Sequence, residues 1–464
     1  MVFPIVGGDG KPTGYDIDNS IRFNSGSSSY LSFTTSTPTS QRIATWSFWM
    51  KKANDATQVI FGSSGDYMEI YNESDGELWF YMSDSNSDYL KSTALHRDQS
   101  AWYHIVMVLD TTQGTEANRA KMFVNGTQLT SFISANYPSQ NDDLTGLAAS
   151  KNFHIGARAY GGAASYLDAY IADFNFVDGS ALDPTYFGET NDNGVWIPKK
   201  PDVSSYGNNG FFLEFKQTGT SANSSGMGAD TSGNDNHFAS NNLASDHVTT
   251  DTPTNNFCTL NPLAKGSSVT LSEGNLKYVP AETKGTVGTF GLTKGKWYWE
   301  IKAVDVGSNT QIGLYDGTDG NGFPTSYLGV NSSSWGVISN DGNTIHNGSQ
   351  ASYGSSFSDN DILQVALDMD NGKWYVGKNG TYFNSGNPAT STNPAHTGID
   401  TGTGTIFPSI SNNNTTGVDY QFNFGNAPFS ISSGNADANG YGNFEYAVPS
   451  GYYALNTKNL AEFG

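Results

Sequence analysis

The chain of 464 residues carries 23 Lys+Arg against 44 Asp+Glu, a formal net charge of −21, with 9 Trp, 25 Tyr, 27 Phe, 53 Gly and one Cys. That length predicts two to four domains at about 100–200 residues each, and so many rings at so low a charge density exclude a solvated coil. The acidic excess disfavours a phosphate-backbone partner, no apolar run reaches the roughly 18 residues of a membrane span, and Cys258 alone builds neither an intrachain disulfide nor a thiolate cage.

Residues 1–16 read as an N-terminal arm that lacks the basic start and apolar run of a secretory leader. Strand patterns follow. Thr45-Trp46-Ser47-Phe48-Trp49-Met50-Lys51 alternates with period two, and Trp102 to Leu109 and Ala120 to Val124 read as buried strands. Asp75-Gly76 and Asn125-Gly126 supply the positive φ angles of hairpin turns. Asp183-Pro184 opens a short helical turn towards Phe187. Residues 191–265, rich in Pro, Gly, Ser, Thr, Asn and Asp, read as a connecting segment. Strands resume at Trp297-Tyr298-Trp299-Glu300-Ile301 and Lys373-Trp374-Tyr375-Val376, with turns at Asn340-Asp341-Gly342, Asn371-Gly372 and Asn379-Gly380. Residues 431–464 read as a tail that packs on a neighbour. No amphipathic helix of ten residues is found, so the fold class is all-β: two antiparallel β-sandwiches in series.

Residues 17–190 resemble the laminin-G-like, concanavalin-A-like jelly roll. The resemblance rests on Ile21-Arg22-Phe23-Asn24, Tyr30-Leu31-Ser32-Phe33, Trp46 to Lys51, and the pair Trp102 to Val106 with Lys121 to Gly126. Phe153-His154-Ile155-Gly156 and Leu167 to Phe174 close it. Residues 266–430 resemble the SPRY domain through Trp297 to Ile301, Gln311 to Leu314, Trp335 to Gly342, the hairpin Asp361 to Asp368 with Trp374 to Gly380, and Ile406 to Ser411. Peptide-binding SPRY domains commonly place a Trp-Gly pair after the Pro-x-x-Ser strand. Asn412-Asn413-Asn414-Thr415-Thr416-Gly417 stands there instead, a departure that argues against a peptide pocket. Phe176 to Pro184, Gly194 to Lys199 and Asp251 to Leu263 resemble virion proteins of tailed bacteriophages, especially marine ones.

These resemblances frame the chemistry. Glu73-Ser74-Asp75-Gly76-Glu77 has the letters of a glycoside hydrolase Glu-x-Asp-x-Glu strand, but Asp75-Gly76 makes it a turn, which scatters the carboxylates. No nucleophile elbow or phosphate loop is present, and the seven histidines show no ligand spacing. His104 and His154 fall in strand patterns and read as wall or core residues. The chain is therefore expected not to be an enzyme. Calcium is the one cofactor considered, since jelly rolls of this type often hold it. The candidate ligands are Asp142 with Asp143, Asp168 with Asp173, and the Asp316–Asn321 loop, against a default of solvated charge. Candidate ligand-binding rings are Tyr160, Tyr166, Tyr315, Phe323, Tyr327 and Tyr353, because an aromatic face stacks on a pyranose while amides bind its hydroxyls.

The resemblance implies a fibre- or spike-type adhesin, made in the host cytoplasm and displayed on the virion. Its expected partners are a host cell-surface glycan and other virion proteins, and its expected state a homo-oligomer, a trimer in preference, with no nucleic acid and no membrane insertion. The alternative is a capsid or tail decoration subunit acting through protein contacts. A polysaccharide-degrading enzyme stands third.

Overall fold

The strands of the N-terminal part are dictated by period-two alternation. Trp46, Phe48 and Met50 point one way from Ile43–Lys52 into a core shared with Ile105, Met107 and Leu109. The computed structural model describes residues 14–65, 67–82 with 83, 87–282, 284–317, 326–399, 404–413 and 417–464. The chain divides at Thr254/Asn255 into two compact units.

In the first unit one sheet runs Thr127–Leu129, Ala120–Val124, Trp102–Asp110, Ile43–Lys52, Ala169–Asp178, Ser20–Phe23, Val248–Thr249, with Phe211–Leu213 also paired to Ala169–Asp178. The other runs Phe132–Asn136, Tyr89–Leu95, Glu77–Tyr81, Glu69–Asn72, Gln58–Ser63, Asn152–Ile155, Tyr30–Thr34, Ala239–Asn241. All these pairings are antiparallel. Between the sheets lie Trp46, Phe61, Phe80, Phe153, Phe174, Phe176 and Phe211, all but unexposed.

The strand Ala169–Asp178 contains a bulge at Asp173, where φ is +44° and the register slips between Ala172 and Asn175. A bulge shifts side-chain parity by one. Ile171 before it and Phe174 and Phe176 after it therefore all enter the core, and Asp173 turns away to accept a hydrogen bond from the Tyr15 hydroxyl at 2.6 Å. The outer face of this sheet is also covered. Ile17, Trp49 and Ala172 pack with Tyr15, Trp102 and Trp196, and Val177 packs with Phe187 and Tyr206. His104 is stacked between Trp49 and Trp196, its ring nitrogens hydrogen-bonded to Ser47 Oγ and to the Trp196 indole N–H. Burial pushes its pKa down to about 3, so it is a neutral wall residue, as is His154, bonded to the Arg158 carbonyl.

The expected connector 191–265 needs correction. Phe211–Leu213, Ala239–Asn241 and Val248–Thr249 are strands of the first sandwich, and Asp251 forms a buried ion pair with Lys51. The segment's polar composition misleads because Asp230, Asn209 and Asn236 bond backbone groups inside the unit and replace apolar contacts. Asp183 caps the predicted short helix, Pro184–Tyr186.

The second unit is again a pair of sheets. One runs Leu260–Lys265, Gly285–Gly288, Phe407–Asn412, Thr310–Tyr315, Ser334–Ile338, Thr344–His346, Ser349–Ala351. The other runs Val269–Ser272, Lys277–Pro280, Asp419–Asn423, Lys296–Asp305, Ile362–Asp368, Lys373–Lys378, Thr381–Tyr382. Trp297, Trp299 and Ile301 fill the core, which leaves Tyr298 and Glu300 on the outer face. The expected tail covers that face and is corrected accordingly. Phe444, Tyr452 and Ala454 pack on Tyr298, Ala366 and Tyr375. Glu300 accepts the backbone N–H groups of Glu445 and Tyr446 at 2.9 and 2.8 Å. Tyr453–Ala454 joins the sheet in parallel, and Thr457–Phe463 forms a helix capped by Asn456.

Candidate functional site

The strands Glu69–Asn72, Glu77–Tyr81 and Tyr89–Leu95 place Ile70, Leu78, Phe80 and Leu90 in the core. Alternation then forces Glu69, Tyr71, Trp79, Tyr81, Tyr89 and Lys91 onto the opposite face. Register aligns them in two cross-strand rows, Glu69–Tyr81–Tyr89 and Tyr71–Trp79–Lys91. Neighbours in such rows touch. Tyr71 meets Tyr81 at 5.5 Å between ring centroids, Trp79 meets Tyr81 at 6.0 Å, and Tyr81 meets Tyr89 at 5.6 Å. Trp79, Tyr81 and Tyr89 are half-buried, so this aromatic platform keeps part of its surface in solvent; its neighbouring rings are inclined by 62° and 54° and present edges as well as faces. Lys91 Nζ sits over it, 4.0 Å from the Trp79 ring centroid, 4.6 Å from Tyr89 and 5.4 Å from Tyr81.

The rim is built by residues 157–166. The segment lies against the sheet because Gly62 has no side chain: a Cβ there would stand 3.0 Å from the Ala159 nitrogen and 3.1 Å from the Ala157 oxygen. Arg158 pairs with Ala164 to close a small loop whose tip is Gly161-Gly162. From it the Arg158 guanidinium reaches the Tyr71 hydroxyl at 2.5 Å and Glu69 at 3.3 Å. The Tyr71 hydroxyl donates to Glu69. Burial pushes the Glu69 carboxyl up, and the Tyr71 and Arg158 contacts oppose that. Burial likewise raises the Tyr71 phenol. Tyr160 is 38% exposed and packs on Tyr67 at 4.2 Å. Tyr166 stands beside Tyr30 at 6.1 Å, and Tyr30 packs on His154 at 4.7 Å.

Two of the expected binding rings, Tyr160 and Tyr166, thus lie at the same sheet as Trp79, Tyr81 and Tyr89, which local sequence does not mark as binding rings. Tyr315 and Tyr353 are corrected, since neither is presented to a ligand. Tyr315 ends a strand and packs with Leu328 and Phe407, and Tyr353 packs on Phe383 with its hydroxyl towards the Val376 carbonyl. Tyr327, in the second unit, is half-buried, and Phe323 lies outside the described residues. Trp79 and Tyr81 had a visible signal: Leu78-Trp79-Phe80-Tyr81 puts aromatic residues on both faces of one strand, and rings on the solvent side call for a purpose.

Most of the carboxylates named for calcium spend their oxygens on other partners, whereas calcium takes six to eight oxygen ligands. Asp143 forms a two-pronged ion pair with Arg42 at 2.7 and 3.0 Å. Asp168 accepts from the Ser25 backbone and hydroxyl, Asn54 and Gln58, tying three segments together. Asp173 is buried against Tyr15. Asp142 is half-buried beside Asp143, its backbone oxygen bonded to Thr111. Among the described residues no three His, Cys, Asp or Glu side chains are grouped to hold a metal. The Asp316–Asn321 loop and the Asn414–Thr416 segment lie partly or wholly outside the described residues. Glu73 and Asp75 lie in the hairpin turn between two strands, and Glu77 opens the second strand, where it accepts from the Trp79 indole. A cleft of about 330 Å³ elsewhere on this unit, lined by Asp110, Lys121, Phe123 and Asp183, offers one ring and no stacked platform.

Two family matches agree with this architecture. Residues 25–185 match the family described as the concanavalin A-like lectin/glucanases superfamily, and residues 296–427 match the SPRY domain. Among solved structures the chain is similar to the SPRY domain of human HERC1, at 20% identity over 35% of this chain and 96% of that one, TM-score 0.28. It is also similar to the TRIM65 PSpry domain, at 17% identity over 36% of this chain and 91% of that one, TM-score 0.28. A heptameric SAP-like pentraxin from Limulus polyphemus matches at 22% identity over 36% of this chain and 80% of that one, TM-score 0.29. The protein is all-β, with a concanavalin A-like jelly roll followed in sequence by a SPRY domain.

Proposed function

We propose that this is a non-catalytic binding protein whose first sandwich recognises surface carbohydrate through the Trp79–Tyr81–Tyr89 platform. The observation that carries the reading is the placement of these rings on the solvent side of the sheet, in register, with Arg158 and Tyr160 at the rim. A pyranose presents C–H groups on one face, which match the negative face of an aromatic ring, and hydroxyls at its edge, which need donors and acceptors. The platform supplies the first and Arg158, Lys91 and the tyrosine hydroxyls supply the second. The lectin-like match over residues 25–185 supports a binding role, and the turn that separates Glu73, Asp75 and Glu77 supports the absence of hydrolysis. The likeness of residues 176–184, 194–199 and 251–263 to tailed-phage proteins supports a place on a virion as a host-attachment component. There a homo-oligomer, such as a trimer, raises weak single-site affinity through avidity.

The test is binding of the purified chain to a glycan array and to host cells. Trp79→Ala lowers binding roughly five- to thirtyfold, the worth of one ring contact at about 1–2 kcal/mol, while Tyr353→Phe leaves it intact. Undiminished binding by Trp79→Ala refutes this placement of the site.

A further inference from the structure

The position of Lys91 defines a ligand class. We propose that the saccharide bound on this face is acidic, carrying a carboxylate or sulfate that docks on Lys91; the proposal rests on the carbohydrate reading of the platform. The chain has almost two acidic residues for each basic one, yet Lys91 makes no ion pair and no hydrogen bond among the described residues. Three rings hold it instead, at 4.0, 4.6 and 5.4 Å. Ring faces attract the ammonium without satisfying its three N–H donors. The result is a cation fixed beside a stacking platform with donors still to be met.

The rest of the two rows repeats that polarity. Their one carboxylate is Glu69, which is fully buried beneath Arg158, whereas the Arg158 side chain keeps 31% of its surface exposed. Glu69 therefore neutralises part of the guanidinium from below and presents no charge to solvent. Arg158 contacts the Tyr71 strand, and Lys91 lies two strands further on. Two strand spacings are about 10 Å, the span of a disaccharide whose anionic group meets the ammonium over Trp79 while its sugar rings pack on the ring surface that Lys91 leaves open towards Arg158. A neutral sugar would leave the Lys91 donors to water. An anion replaces that water with a charge-assisted hydrogen bond, stronger than a neutral one.

The test uses the full chain on an array of matched pairs: oligouronates, sialosides and sulfated galactans, each beside its neutral counterpart. Acidic members bind more tightly, and added salt weakens them more than the neutral ones. Lys91→Met, which keeps the stem on the rings, weakens acidic binding roughly five- to tenfold and brings the acidic-to-neutral ratio near one. Lys91→Arg retains the ratio. Equal binding of both classes by the unmodified chain, or a ratio unmoved in Lys91→Met, overturns the proposal. If Trp79→Ala still abolishes binding in that case, the carbohydrate reading stands without it. A chain that binds no saccharide overturns both.

Discussion

Removing the Asp251 carboxylate breaks a fully buried ion pair of the first unit. Lys51 Nζ lies 2.5 Å from Asp251 Oδ2, with the two side chains 1% and 0% exposed. The Trp102 indole N–H donates to the other carboxylate oxygen at 3.2 Å, and the ammonium stands 5.1 Å from the Tyr170 ring. Asp251→Ala takes the carboxylate away from a buried ammonium, and breaking a buried pair from one side costs about 3–5 kcal/mol. For a unit of this size each kcal/mol lowers the melting temperature by roughly 2–4 °C, so the expected loss is about 10 °C. Calorimetry of the full chain reads it as a shift of one transition while the transition of the second unit stays in place. Glycan binding below that temperature is retained, because Asp251 belongs to the other sheet from the platform. The double variant Lys51→Met with Asp251→Leu removes both charges and recovers most of the loss, since a buried pair is worth little more than an apolar pair of similar volume. A shift under about 1 kcal/mol for the single variant, or a double variant as unstable as the single, refutes the reasoning. Either result would also weaken the assignment of residues 191–254 to the first sandwich.

The first unit has two buried groups with opposite pH dependence. Burial pushes Asp173 up to about 7, assisted by Glu214 and opposed by the Tyr15 hydroxyl, so the folded state retains a proton that the unfolded chain releases near 3.8, and this contribution to stability falls as pH rises from about 4 to 7. His104, pushed down to about 3 by burial alone, is neutral when the unfolded chain is protonated, so its contribution is lost as pH falls from 6.5 towards 3. Asp173→Asn therefore gains stability relative to the unmodified chain between pH 4 and pH 8, by a few kcal/mol at most; melting curves that shift in parallel at both pH values refute the assignment. In the second unit Glu300→Ala strips the partner from two backbone N–H groups and the Tyr298 hydroxyl. It lowers that unit's stability by about 2–4 kcal/mol and exposes residues 430–447 to limited proteolysis. Unchanged cleavage there would show that the tail is held by its apolar contacts alone.

Local residue patterns specified the kind of fold and most of its turns. Alternation at Trp46–Lys51 and Trp297–Ile301, and Gly or Asn at positions of positive φ such as Asn125-Gly126 and Asn379-Gly380, are local signals, and the structure realises them as strands and hairpins. The same locality explains what could not be read. Whether a polar segment is a linker or a strand depends on what it pairs with, and the partners of Ala239–Asn241 and Val248–Thr249 lie about 200 residues away. Whether a tyrosine in a Gly/Asn-rich stretch meets solvent or a core depends on packing across the sandwich. That is why Tyr160 is exposed and Tyr353 is not. The platform shows both sides at once. The pattern Leu78-Trp79-Phe80-Tyr81 fixed that Trp79 and Tyr81 share a face opposite Leu78 and Phe80. The register of the next strand brought Tyr89 and Lys91 beside them, and only packing between chain-distant segments brought Arg158 there.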